Sequence, residues 1–162
     1  MALIVEDGTG VAGAESLASV EFADAYHAAR GNANWDSVAS TEIKEQLLRK
    51  ATDYIVNVYA SAWAGTPVKS NQAMPFPRYV AGSNIGVPLS IQQATAELAL
   101  IAKTTPLMPS VTRGKKRVKV GPLEVEYDGN AATSTKFVAA SLRIAPFLSG
   151  MATGAMVKLV RS

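Results

Sequence analysis

The sequence predicts a mainly α-helical fold, a small bundle of about four helices carrying one β-hairpin and long ordered loops. Three observations predict it. Apolar residues recur at helical spacing in four segments, while one segment, residues 113–128, switches to a period of two. The chain is 48% hydrophobic and 18% charged over 162 residues, enough to close one core without disulfides or metal. The reading is therefore a single domain over residues 1–162, with no internal repeat.

Residues 1–18 read as an N-terminal arm: a short apolar run, Ala2 to Val5, meets Glu6-Asp7-Gly8-Thr9-Gly10 and then small residues. From Ser19, a natural N-cap, Val20, Ala23, Tyr26 and Arg30 fall at helical spacing, and Gly31 supplies the stop. The strongest periodicity follows. Ile43, Leu47, Ala51, Tyr54, Ile55 and Val58 place one apolar face along a helix from about Thr41 to Ser61.

Between Gly65 and Pro88, prolines and glycines predict a long ordered loop without elements of its own, a length that hints at contact with a partner. Ser90-Ile-Gln-Gln93 fits a capping box opening a helix to about Lys103, with Ile91, Ala94, Leu98 and Ile101 as its buried stripe. Pro106 and Pro109 end it.

In residues 113–128, Val118, Val120, Leu123, Val125 and Tyr127 alternate with charge around Gly121-Pro122, so a basic strand pairs with an acidic one. Thr133 or Ser134 caps a last helix through Ile144, closed by Pro146 and Gly150. Residues 152–162 form an apolar, basic tail.

Composition removes much chemistry. There is no cysteine and one histidine, His27, so thiolate metal sites, cysteine nucleophiles and multi-histidine centres are excluded. No cofactor and no metal is expected, and His27 reads as a packed or surface residue. The start, Met1 to Glu6, lacks the basic segment of a secretory leader. The longest uncharged stretch, Tyr79 to Ala96, carries too many polar residues to span a bilayer, which predicts a soluble chain with no membrane partner.

Gly8-Thr-Gly-Val-Ala-Gly13 matches the dinucleotide-binding pattern literally but not in context. Glu6 and Asp7 would repel phosphates, and no strand with an acid follows at the required distance. A flexible or partner-contacting loop is the better reading. Asp53 and Glu97 are the acids set in apolar helices, and surface or interfacial ion pairing accounts for them.

The net charge is +3, but five of the 16 cations, Arg113, Lys115, Lys116, Arg117 and Lys119, fall in one strip. Such crowding requires solvent or an anion, a phosphate backbone or an acidic partner. Aromatic rings do not interleave with the cations, so the contact it offers is independent of base sequence.

Val5-Glu-Asp-Gly-Thr-Gly10, Ala25-Tyr-His27, Gly31-Asn32, Trp35, Ala51-Thr-Asp-Tyr-Ile55, Phe76-Pro-Arg78, Ala94-Thr-Ala-Glu-Leu-Ala99 and Lys119-Val-Gly-Pro-Leu-Glu-Val-Glu-Tyr127 together resemble a family of small tailed-bacteriophage proteins. That family is similar to head–tail connector (adaptor, head-completion) proteins and is also described as DnaT-like single-stranded-DNA-binding proteins. Met74-Pro75 departs from its pattern, where an aliphatic residue and Trp are expected.

As a connector, the resemblance implies a non-enzymatic virion protein of the neck, assembled in the host cytoplasm. It would form a homo-oligomeric, usually twelvefold ring between the portal and a tail terminator or other downstream neck protein, with packaged double-stranded DNA passing through the lumen. The basic strip would then face DNA or the portal. Met156, Val157, Lys158, Leu159, Val160 and Arg161 would dock the tail on the portal. As a DnaT-like protein, it implies a replication accessory that binds single strands.

Overall fold

The computed structural model describes residues 2–109 and 137–149, together with the backbone of two strands, Arg117–Val120 and Leu123–Glu126. The arm does not extend as a strand. Val5 makes one isolated parallel bridge to Ser16, with the Glu6 N–H donating to the Ser16 carbonyl at 2.9 Å, so residues 5–16 close into a loop.

Helix α1, Val20–Ala28, begins where the sequence places it: the Ser19 hydroxyl accepts the Phe22 N–H at 3.1 Å. Gly31, at φ +65°, provides the left-handed stop. A single turn, α2, Ala33–Asp36, carries the buried Trp35. Helix α3, Thr41–Val58, is capped by Ser40 and stops short of Ser61. Its buried face is Leu47, Leu48, Ala51, Thr52, Tyr54 and Ile55. Ile43 and Val58, expected on that face, are exposed because they sit in the terminal turns.

Residues 65–88 correct the expectation of a loop without elements. They contain β1, Thr66–Pro67, β2, Arg78–Val80, and β3, Ser83–Ile85, an antiparallel sheet in the order β1-β2-β3. Strands of two or three residues are too short to show an alternation in sequence. The turn between β2 and β3 is Ala81-Gly82, both at positive φ, as a two-residue hairpin of type I′ requires.

Helix α4, Leu89–Ala102, packs against α1, α3 and α5, Val138–Ile144. Being enclosed, it buries Thr95, Ala96 and Ala99 besides the predicted Ile91, Ala94 and Leu98. The capping box does not form: Pro88 is the N-cap, and the helix starts without a side-chain cap bond. Beyond α5 the chain continues as a 3₁₀ turn, Ala145–Phe147, and the segment pairs back on Trp63 and Ala64, whose N–H donates to the Phe147 carbonyl at 2.9 Å.

The remaining strands, β4, Arg117–Val120, and β5, Leu123–Glu126, form the predicted antiparallel pair, with Arg117 opposite Glu126 and Lys119 opposite Glu124. The expectation of a mainly α bundle of about four helices is thus revised to a mixed α/β fold, with five α-helices and a three-stranded antiparallel sheet among the described residues. The described core is one contiguous cluster joining α1, α3, α4 and α5. Among the described residues no helix is long and apolar enough to cross a membrane.

Candidate nucleic-acid interface

The three-stranded sheet presents two unlike faces, because successive residues of a strand point to opposite sides. On one side Thr66, Tyr79 and Asn84 lie in a cross-strand row, all exposed, with the Tyr79 ring half open to solvent. On the other side Arg78 is buried. Its guanidinium donates to the carbonyls of Ala64 at 2.8 Å, Gly65 at 2.6 Å and Pro75 at 3.1 Å. Desolvation pulls Arg78 below the usual arginine range.

Behind it, Phe76 meets Trp63 and Phe147 edge to face, at 5.2 and 5.8 Å between ring centroids. The sheet is therefore fastened from beneath, on the face opposite Tyr79.

The glycine-rich loop answers its own motif. The Glu6 carboxylate is buried inside it and accepts the N–H groups of Gly8 and Gly10, both at 2.9 Å, and of Val11 at 2.8 Å. The donors that would cradle a phosphate are occupied by the protein's own anion. Asp7 is held below the usual carboxylate range by the hydroxyl and N–H of Thr9. The Lys69 ammonium donates to the Gly10 carbonyl at 3.3 Å, tying this loop to the segment that follows β1.

His27 is a packed core histidine. Nε2 donates to the Ala96 carbonyl at 3.1 Å, and Nδ1 accepts from the Asn32 amide at 3.0 Å, which assigns a neutral ring between α1 and α4. Burial lowers its pKa from the ordinary 6.5.

Asp53 and Glu97 have separate settings. Asp53 is exposed on α3, whereas Glu97 accepts the Tyr26 hydroxyl at 2.5 Å. Burial, then that carboxylate, raises the Tyr26 phenol above its usual value. Arg143 Nη2 also donates to the Tyr26 oxygen, at 3.1 Å, joining α1, α4 and α5.

Of the strip predicted to carry charge, Arg113, Lys115 and Lys116 lie outside the described residues, and only the backbone of Arg117 and Lys119 is described, in β4. The tail residues Met156, Val157, Lys158, Leu159, Val160 and Arg161 lie outside them as well.

Among the described residues the other cations that form bonds do so in two ways. Lys44 pairs with Asp24 and Arg49 with Glu15 and Glu45. The hydrogen bonds of Arg30, Lys69, Arg78, Lys103 and Arg143 run instead to carbonyl, amide or hydroxyl oxygens. Sequence reasoning missed Tyr79 and Arg78. The signal was the run Arg78-Tyr-Val80 followed by Ala-Gly, a short hairpin masked by the prolines around it.

An open sheet face with a half-exposed ring, and exposed Lys69 and Lys103 whose hydrogen bonds run to uncharged oxygens, are features that suit contact with a nucleic acid. The family model described as "Putative DnaT-like ssDNA binding protein" matches residues 1–162, and the chain belongs to that family. No curated protein and no solved structure matches it.

This corrects the primary expectation of a virion head–tail connector acting in a portal-bound ring. The resemblance carried two descriptions, and the match over the whole chain is to the single-strand-binding one. The basic strip has no ring among its cations. The fold supplies one on a different element, at Tyr79.

Proposed function

We propose that the protein is a non-enzymatic single-stranded-DNA-binding protein that contacts the strand without reading its overall sequence, in an accessory role in replication. The observation that carries this reading is Tyr79, a half-exposed ring in the middle strand of a sheet, between Thr66 and Asn84. Every base has a π face, so such a ring stacks on any of them. Arg113, Lys115, Lys116, Arg117 and Lys119 supply the phosphate contacts that the sheet face itself lacks.

The test is fluorescence anisotropy with a labelled single strand and a duplex of equal length, over about 50 to 200 mM salt. The single strand should bind more tightly. Its affinity should fall with salt at a logarithmic slope of roughly 0.7 per phosphate contacted. No binding at the lowest salt, or a preference for the duplex, overturns the reading.

A further inference from the structure

We propose that the cleft beside the C-terminal end of α4 is a nucleotide subsite for the bound strand, with a phosphate on Lys50 and Lys103 and an amino-bearing base against Asp53 and Met108. The proposal rests on the single-strand reading and adds to it a place for one nucleotide and a preference among bases.

The cleft encloses about 430 Å³ between Lys50 and Asp53 of α3 and the segment from Ala102 to Met108 that ends α4. Ligand pockets start near ~300 Å³, so a nucleotide is an appropriate occupant. Its walls divide by chemistry. Lys50 and Lys103 bring positive charge, Thr104 and Thr105 bring hydroxyls, and Pro106, Leu107 and Met108 give an apolar wall on which Met108 is 51% exposed. A thioether on a flexible chain adapts to the flat face of a base.

The two lysines are prepared differently. The Lys103 ammonium donates at 2.7 Å to both the Asn34 carbonyl and the Ser37 hydroxyl, which fixes it and leaves one of its three N–H donors over. Lys50 is exposed and has no ion pair among the described residues. A phosphate therefore meets one positioned cation and one that can move to it.

Lys103 and Thr104 also line a second hollow of about 270 Å³ with Asn34, Leu100 and Ile101. Two hollows sharing one lysine and one threonine suit consecutive nucleotides joined by a phosphodiester.

Asp53 decides what the first hollow prefers. A carboxylate is an acceptor only, so beside a phosphate site it disfavours further anion and favours an N–H donor. Cytosine offers its N4 amino group to such an acceptor. Thymine offers only an N3–H set between two carbonyl oxygens, which the carboxylate repels. The subsite should therefore favour cytosine over thymine, two bases of the same size that stack alike.

The experiment compares labelled oligo-dC and oligo-dT on the full-length protein and on Lys50→Ala and Asp53→Asn, both at exposed positions, with thermal melts to confirm folding. The parent protein should bind oligo-dC about 5-fold or more tightly than oligo-dT. Asp53→Asn should remove that preference, chiefly by raising oligo-dT affinity. Lys50→Ala should weaken both and lower the salt slope by roughly 0.7. Amide hydrogen exchange of residues 102–108 should slow when oligo-dC is bound.

If the parent binds both strands equally and the variants behave like it, the subsite is wrong while single-strand binding stands. If the parent binds neither, the functional reading falls and the subsite with it.

Discussion

Gly65 lies so close to the backbone of Tyr79 that a β-carbon built on it would sit 1.9 Å from the Tyr79 carbonyl oxygen. Its φ is +72°, so both the local conformation and the neighbouring strand require glycine. Gly82 makes the comparison clean, since at φ +81° it faces open space. Gly82→Ala should cost only the left-handed strain, about 1 kcal/mol. Gly65→Ala must also push β1 from β2, and should cost about 3 kcal/mol or more. Urea denaturation of the two variants measures the difference. Equal losses would show that the sheet yields at this contact.

Arg78 fastens the same sheet from below, where its guanidinium serves three carbonyl oxygens without a carboxylate partner. Arg78→Met keeps much of the volume and strands those acceptors, so stability should fall by about 2–4 kcal/mol. Arg78→Lys should recover only part of the loss, because an ammonium cannot span the positions that the planar fork reaches. If Arg78→Met melts like the parent, the fork does not hold the sheet. Tyr79 would then need another explanation for its fixed position.

Helix α1 was legible in the sequence because it joins a cap and a stop, Ser19 and Gly31, to a periodic apolar face, and α3 because such a face repeats along its length. Burial on α4 was underestimated since a helix enclosed by three others buries more than one stripe, and Thr95 and Ala96 carry no periodic signal of their own. The sheet was not legible. Its strands are two or three residues long, and what holds them is a buried arginine and a glycine contact, both long-range facts.

For the site, the basic strip was visible as charge alone, whereas the exposure of Tyr79 depends on which sheet face is covered. Lys50 and Lys103 are separated by an entire sheet and helix in sequence. Only the packing of α3 on α4 brings them to one cleft.

His27 sets a pH dependence whose sign follows from its burial. The folded-state pKa lies below the ordinary 6.5, so the folded protein resists a proton that the unfolded chain accepts. The neutral ring's contribution is complete above about pH 6.5 and is lost as pH falls from there toward the folded pKa. Glu15, whose carboxyl is lowered chiefly by its hydrogen bond to Arg49, acts in a separate and more acidic window, below its ordinary 4.5. Denaturation between about pH 7.5 and 5 therefore isolates the histidine. The parent should lose stability across that interval. His27→Gln, destabilised at every pH, should show a flatter profile there. Parallel profiles would place the acid sensitivity elsewhere.

The Tyr79 ring gives the most direct test of how the strand is held, because stacking and charge leave different signatures. Removing a ring that stacks on a base costs about 1–3 kcal/mol, or roughly 5- to 150-fold in affinity. It releases no counterions, so the salt slope should not change. Tyr79→Ala should weaken single-strand binding by that amount, and Tyr79→Phe should keep most of it. At 46% exposure the ring contributes modestly to the core, and both variants should unfold near the parent. Replacing Lys115, Lys116 and Arg117 with glutamine should do the opposite, lowering the slope by roughly 2 if each meets a phosphate. The two sets should add when combined, since one removes stacking and the other removes charge. If Tyr79→Ala binds like the parent while the charge variant loses affinity, the strand is held by its backbone alone and the sheet face is not its platform.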